Sequence, residues 1–197
     1  MPVAITWNEL TAIEPTLDEV RTHVGALTLA YNDPRNAPLL GHTAPLSEMD
    51  VIEVYDAMFA DGARPFLLFR DGVFVGDGDL RGIANRRAEF AFLIVSPDAQ
   101  GQGLGTRFAT MIHAFGFTTL GLERIYASVV PQNVASRRVF EKLGYLPDQT
   151  TDYGDPGDVV LALDRARFTA GSALAEIRIA MRSLPSSAIS APALTLL

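Results

Sequence analysis

Apolar residues return at helical spacing twice in the first third of the chain, and then the period shortens to that of strands. Thr16 with Glu19 three residues on forms a capping-box pair, and Leu17, Val20, Val24 and Leu27 follow on one face. This predicts a helix over about 16–30, closed by Asn32-Asp33-Pro34. Ser47 and Asp50 repeat the signal ahead of Val51, Val54, Tyr55 and Met58, and Asp61-Gly62 ends that second helix. Ile5 to Leu10 reads as a short first strand, and Pro34 to Pro45 as a loop. Pro65 to Arg70 is a strand, Asp71-Gly72 a tight hairpin turn, and Val73 to Asp79 the returning strand. A polar break at Asn85-Arg86-Arg87 separates these from Ala88 to Val95, which completes an antiparallel meander that Pro97 stops.

A glycine-rich run, Gln100-Gly101-Gln102-Gly103-Leu104-Gly105-Thr106, then leads into a helix carrying Phe108, Met111, Ile112, Phe115 and Leu120. Glycines at a strand-to-helix junction let a ligand approach the backbone, and the first-turn N–H groups point outward at the positive helix end. The run therefore has the form of a phosphate cradle, although tight packing alone also selects glycine there. A dinucleotide site is the weaker reading: Gly101, Gly103 and Gly105 alternate strictly rather than as G-x-G-x-x-G, and a meander precedes them instead of a parallel crossover. Arg124 to Val130 is the next strand. Asn133 caps a helix through Lys142 that ends at Gly144, and Tyr145–Thr151 and Asp158–Leu163 read as two last strands. Ser172 to Arg182 has the apolar spacing of an amphipathic helix, and Phe168 to Arg182, with Leu174, Ile177 and Met181 at that spacing, suggests a contact between two copies of the chain. Residues 183–197, small or apolar and without side-chain charge, read as a loosely ordered tail. The division expected is one domain over 1–164, an extension over 165–182, and that tail.

Composition narrows the function by exclusion. With 197 residues, 48% hydrophobic and 20% charged, the chain has enough apolar material for a substantial core. A net charge of -7 speaks against a nonspecific nucleic-acid binder, which needs clustered Lys and Arg. There is no cysteine, so disulfides, thiolate catalysis and an acyl-cysteine intermediate are excluded. His23, His42 and His113 show no metal-ligand spacing, so no metal is expected. No apolar run reaches membrane-spanning length, and Met1 to Trp7 lacks the basic and apolar regions of a signal peptide. A soluble cytoplasmic protein is the expectation.

Two motifs carry a family resemblance. Val95-x-Pro97 followed by Gln100-x-x-Gly103-x-Gly105 resembles the acyl-CoA pyrophosphate loop of the GNAT acetyltransferase superfamily. Asn133-x-x-Ser136 and Glu141-Lys142-Leu143-Gly144-Tyr145 resemble its second signature helix, in wording most similar to the branch that acetylates N-terminal amines of ribosomal proteins. The likeness covers about Pro65 to Leu163. It implies an α/β (α+β) fold with a mixed, mainly antiparallel sheet of about seven strands flanked by helices, and acetyl-CoA as co-substrate. It also implies that Leu93, Ile94 and Val95 offer their backbone to the pantetheine arm. The loop Gln100, Gly101, Gln102, Gly103, Leu104, Gly105 and Thr106 would bind the cofactor, the amides of Gln102, Gly103, Gly105 and Thr106 holding its pyrophosphate, with Asn133 reaching the pantetheine or sulfur end.

Acetyl transfer to an amine needs a proton acceptor for the nucleophile and a proton for the departing thiolate. Glu89, eleven residues before Gln100, has the placement of the general-base glutamate in histone-type members; a strand-edge pair with Arg86 or Arg87 is its structural alternative. Many members place a tyrosine seven residues after the signature asparagine as the acid. Here that position is Phe140, so Ser136 is the substitute, with Tyr126 and Tyr145 in reserve. The acceptor is expected to be a primary amine of a small molecule or of a peptide N-terminus. Its contacts are expected from residues 16–62 and 148–157, which hold Asp33, Glu48, Asp50, Glu53, Asp56, Asp61, Asp148, Asp152 and Asp155. The competing reading is an acyl-CoA-binding module that keeps the cradle without the chemistry.

Overall fold

A computed structural model describes residues 2–40, 44–95, 101–149, 154 and 156–183. Each early helix begins where a side chain satisfies its free amides. In α1 (Leu17–Tyr31) Thr16 accepts from the Glu19 amide while Glu19 accepts from the Thr16 amide. In α2 (Glu48–Ala60) Ser47 and Asp50 make the same reciprocal pair. These two helices lie together on one face of the sheet, joined by Val20, Val24, Leu27, Val51 and Tyr55 packed over Leu67.

The sheet has nine strands: β1 (Val3–Trp7), β2 (Leu10–Ile13), β3 (Arg64–Arg70), β4 (Val73–Ala84), β5 (Arg87–Ile94), β6 (Arg124–Val129), β7 (Leu146–Pro147), β8 (Val159–Asp164) and β9 (Arg178–Met181). Their spatial order is β7-β8-β6-β5-β4-β3-β2-β1-β9, and every pairing is antiparallel except β5 with β6. The opposite face carries α3 (Leu104–Thr118) and α4 (Val134–Leu143), whose Phe108, Phe115 and Phe140 enter a core with Phe66, Leu68, Leu80 and Phe90. Asp71 and Gly72, both at positive φ (50° and 78°), form the β3–β4 hairpin turn that their sequence predicts.

The mixed, mainly antiparallel sheet agrees with expectation, but three elements differ. Ile5–Leu10 is not one strand: Asn8 takes a left-handed conformation (φ 53°), and the chain reverses there into the β1–β2 hairpin. The strand expected over Tyr145–Thr151 shrinks to the two residues of β7, with residues 150–153 outside the described set. The helix expected over Ser172–Arg182 is one turn, α5 (Ala173–Glu176), followed by β9, which pairs with β1 from Val3↔Met181 to Thr6↔Arg178. Ile177, expected at an interface between copies, is buried in this chain's own core, whereas Leu174 and Met181 stay exposed. The expected tail from 184 on lies outside the described residues.

Arg182 latches this edge strand, donating to the Glu19 carboxylate at 2.5 Å and the Glu14 carbonyl at 2.6 Å. The pair is largely shielded, so Arg182→Ala is expected to lower unfolding free energy by about 1 kcal/mol. A urea midpoint equal to that of the unaltered protein would remove the latch from the account.

Candidate functional site

Strands β5 and β6 run parallel and hydrogen-bond only over Arg87–Glu89 against Arg124–Tyr126; beyond Glu89 they part. The Val95 amide donates to the Val75 carbonyl at 3.0 Å, continuing the β4–β5 register of Asp77↔Leu93 and Asp79↔Ala91. In an antiparallel ladder the bonding residues alternate. The backbone groups of Glu89, Ala91 and Leu93 therefore turn to β4, and those of Phe90, Phe92 and Ile94 turn toward the side β6 has left. A cleft of about 520 Å³ runs into this opening, lined by Ala91, Phe92 and Leu93 on one side and Ser128 and Val130 on the other.

At the far end of β5, Gly101 and Gly103 adopt positive φ (76° and 78°), and a Cβ at either would meet only open space. Gly103 starts α3 with no side-chain cap. The amides of Leu104, Gly105 and Thr106 in the first turn consequently lack a helical acceptor. Gly105 is needed for a different reason: a Cβ there would stand 2.9 Å from the Phe92 ring. The Leu104 side chain is buried in the core, which leaves only its backbone at the helix start. Gln102 accepts from Arg70 at 2.7 Å. Gln100 lies outside the described residues. Arg107 is taken up elsewhere, bound to Glu9 at 2.5 Å and laid over the Trp7 ring at 5.0 Å; its hydrogen bond holds the Glu9 carboxyl down at about 2.

Among the described residues, the acids that line the cleft are Asp77 and Asp79 of β4, Glu89 of β5 and Asp158 ahead of β8, none of them from the segments expected to supply them. Asp77 and Asp79 share with Arg81 the strand face under α1 and α2, and Glu89 stands across from Arg81 on β5. Arg81 grips Asp79 with two bonds, at 2.6 and 2.5 Å. Burial acts to lower the Arg81 pKa, but the Asp79 bonds and charge, with Glu89 behind them, hold it above its ordinary value. Asp77 is 8% exposed, and its Oδ2 accepts from the Tyr31 hydroxyl and from Tyr55 at 3.0 Å. Burial pushes its carboxyl up to about 6 despite those two hydroxyls. Burial and the Asp77 charge together raise both tyrosines well above the usual phenol value.

Several acids expected at the acceptor end are engaged locally instead. Asp33 binds Arg35, Asp50 caps α2, and Asp148 pairs with Arg124. Asp152 and Asp155 lie outside the described residues. Glu89 stands opposite Arg81 across the β4–β5 ladder, and Arg86, one of the two partners weighed for it, binds Glu123. Helix α2 lines the cleft with Val51, Val54 and Met58. Asp77 and Asp79 were missed because a strand reading of Val73–Asp79 stops short of asking which face they share. The signal was present: two acids at alternate positions of a strand that must be buried.

The GNAT acetyltransferase domain model matches residues 16–146, from the start of α1 to β7. The chain belongs to this family. Escherichia coli spermidine N(1)-acetyltransferase is 36% identical over 100 residues, 49% of this chain and 53% of that protein, so the chain spans about half the length of the curated relatives it matches. Among solved structures, Mycobacterium smegmatis RimJ in complex with CoA-disulfide superposes with a TM-score of 0.70, covering 89% of this chain and 91% of its own at 19% identity. Spermidine N-acetyltransferase from Vibrio cholerae in complex with CoA and spermine gives 0.68, covering 81% of this chain and 98% of its own at 20% identity. Likeness at these identities speaks to the shared fold.

Within this GNAT fold the second signature helix shows where the chain departs from the family pattern. The Asn133 side chain accepts from the Ser136 amide at 3.0 Å, capping α4. Ser136 sits half-buried in that first turn. Phe140 is buried edge-to-face against Phe92 (5.9 Å, 77°) and Phe90 (6.3 Å, 86°). Tyr145 is committed to His113. The His113 Nδ1 lies 2.6 Å from the Ala109 carbonyl and so carries the hydrogen, which leaves Nε2 to accept from the Tyr145 hydroxyl at 2.5 Å. Burial depresses His113 to about 4. Tyr126 is buried beneath Arg124. Among the described residues, no group of three His, Asp or Glu is placed to hold a metal, and no helix is long and apolar enough to cross a membrane.

Proposed function

We propose that this GNAT protein is an N-acetyltransferase that moves an acetyl group from acetyl-CoA directly to a primary amine. The observation that carries this reading is the parting of β5 from β6, with the uncapped start of α3 at one end and a carboxylate-lined cleft at the other. The first-turn amides of α3, with the backbone of Gly101, Gln102 and Gly103, suit a pyrophosphate. The outward amide of Phe92 suits an amide group or the thioester oxygen of the acyl donor, a role the Leu93 amide is turned away from.

In this reading Glu89 takes the proton that frees the amine lone pair. The lone pair attacks the thioester carbon, the carbon–sulfur bond breaks, the thiolate leaves with a proton, and the second proton that the nitrogen sheds as it becomes an amide restores the group that donated it. Ser136 is the proposed donor of that proton, since Phe140 has none and Tyr145 is spent on His113. Asn133 combines its cap with a contact toward the sulfur end. The acceptor belongs to the class of small cationic amines or peptide N-termini. The relatives' names support the first, the Glu-Lys-Leu-Gly-Tyr wording the second.

Incubation with acetyl-CoA and a panel of spermidine, aminoglycosides and peptides with free N-termini, read by thiol release, tests the activity. Glu89→Gln is expected to lower kcat about 100-fold while leaving CoA affinity within twofold. Phe140 keeps a second reading in view, an acyl-CoA-binding module. CoA binding in calorimetry with no amine-dependent thiol release, and Glu89→Gln no different, establishes that one.

A further inference from the structure

One carboxylate in the cleft is half used. Asp77 Oδ2 holds the hydroxyls of Tyr31 and Tyr55, while Oδ1 exposes less than 1 Å² and has no hydrogen-bond partner among the described residues. A buried carboxylate oxygen in that state is costly, and native proteins keep few of them. Its neighbours differ: Asp79 is bound twice by Arg81, and Glu89 faces the same guanidinium. No salt bridge among the described residues reaches Asp77. The cleft lining counts Asp77, Asp79, Glu89 and Asp158 against Arg81 alone. Asp77 lies directly across the β4–β5 ladder from Leu93, where the opening between β5 and β6 meets the cleft. Beside it the wall is hydrocarbon, from Leu39, Leu40, Val54 and Met58.

We propose that Asp77 is the receptor for the acceptor's ammonium group: Oδ1 takes an N–H from the attacking nitrogen, and the aliphatic stem lies against Leu39, Leu40, Val54 and Met58. The proposal rests on the acetyltransferase reading and adds the residue that selects the acceptor. The two tyrosines hold the carboxylate by Oδ2, which leaves Oδ1 as the oxygen that a donor entering the cleft satisfies. Charge and shape then favour an unhindered alkylammonium over a neutral or aromatic amine. Its pH dependence follows from the groups that face Asp77, which are Tyr31 of α1, Tyr55 of α2, Asp79 and Arg81 of β4, Glu89 of β5 and Asp158 before β8. Burial holds the Asp77 carboxyl at about 6, and a cation needs it ionised. Affinity for the amine therefore weakens below that pH.

The test is calorimetric titration of the CoA-loaded protein with spermidine, and in parallel with a free-amino tripeptide, at pH 7.5 and 5.0. The protein is expected to bind at least one of the two about tenfold more weakly at pH 5.0. Asp77→Asn is expected to weaken that binding at least tenfold at pH 7.5, to abolish the pH step, and to leave CoA affinity unchanged. A purely structural Asp77 would show itself as a lower melting temperature in Asp77→Asn, whereas a receptor freed of its buried charge melts no lower than the unaltered protein. Equal amine affinity in the two proteins, a pH step that survives the substitution, or no binding of either amine overturns the proposal. Asp77-dependent binding without thiol release leaves the receptor standing and rejects the acetyltransferase reading instead.

Discussion

Gly78→Val is expected to destabilise the fold by more than about 3 kcal/mol, because the site has no room for a single added carbon. A Cβ at this position would stand 2.6 Å from the Ala91 carbonyl oxygen, 2.9 Å from the Phe108 ring and 3.0 Å from the Phe92 Cβ. The first of these is backbone and cannot rotate away. Relief requires β4 to lift from β5 or α3 to move off the sheet, and either change opens the core around Phe90 and Phe108. For a chain of this size the loss corresponds to a fall in melting temperature of roughly 6–12 °C. Gly78 also lies between Asp77 and Asp79, so the displacement is expected to weaken amine and CoA binding together. Thermal denaturation of Gly78→Ala and Gly78→Val checks the claim. An alanine variant within about 0.5 kcal/mol of the unaltered protein would show that the sheet adjusts freely here.

The second large effect is a pair of opposed pH dependences in the core. His113 is held at about 4 in the fold against 6.5 when unfolded, because a buried imidazole resists charging. Between those values the unfolded chain binds a proton that the folded one refuses, so this contribution is complete above pH 6.5 and is lost as pH falls toward 4. Its size is about 3 kcal/mol. Asp77 has the opposite sign. Its folded value of about 6 lies above the unfolded 3.8, so its contribution is present below pH 3.8 and is lost as pH rises through 6. That is also about 3 kcal/mol.

The two groups nearly cancel across pH 6 to 4, and the unaltered protein is expected to hold its stability there. Glu9 and Asp33, both held at about 2 in the fold by hydrogen bonds from Arg107 and Arg35, begin to lose their contribution only as pH falls past their unfolded values of 4.5 and 3.8, at the lower edge of this window. Removing one member exposes the other. Asp77→Asn is expected to lose about 3 kcal/mol on going from pH 7 to 4, whereas His113→Gln gains stability over the same interval. Urea denaturation at intervals across that range reads both slopes. Parallel pH curves for the two variants would refute the opposition.

Much of the fold was legible because its signals are local. Thr16 with Glu19 and Ser47 with Asp50 complete their caps within four residues, and Asp71-Gly72 closes its own turn. The glycines ahead of α3 also act through their own φ angles, so the turn into that helix was legible without any partner strand. The β1–β2 turn was misread because Asn8 is a weaker signal than glycine, and only pairing shows that it has taken the left-handed conformation. β9 was misread for a different reason. Its apolar spacing satisfies a helix, and what makes it a strand is the free edge of β1, some 170 residues earlier in the chain.

The sequence by itself determined the helices α1 to α4, the β3–β4 hairpin, the glycine-rich loop ahead of α3 and the identity of Phe140 where the family often has tyrosine. Those depend on residue type and short spacing. Tertiary structure alone decided where β5 leaves β6, which amides face the opening, and that the described acids of the cleft come from β4, β5 and the approach to β8 rather than from the early helices. Each is a matter of register: a strand's two faces differ by one residue, and only pairing with its neighbours says which face meets ligand and which meets core. That is why Asp77, an unremarked acid in a glycine-rich strand, becomes a buried carboxylate with one oxygen still to satisfy.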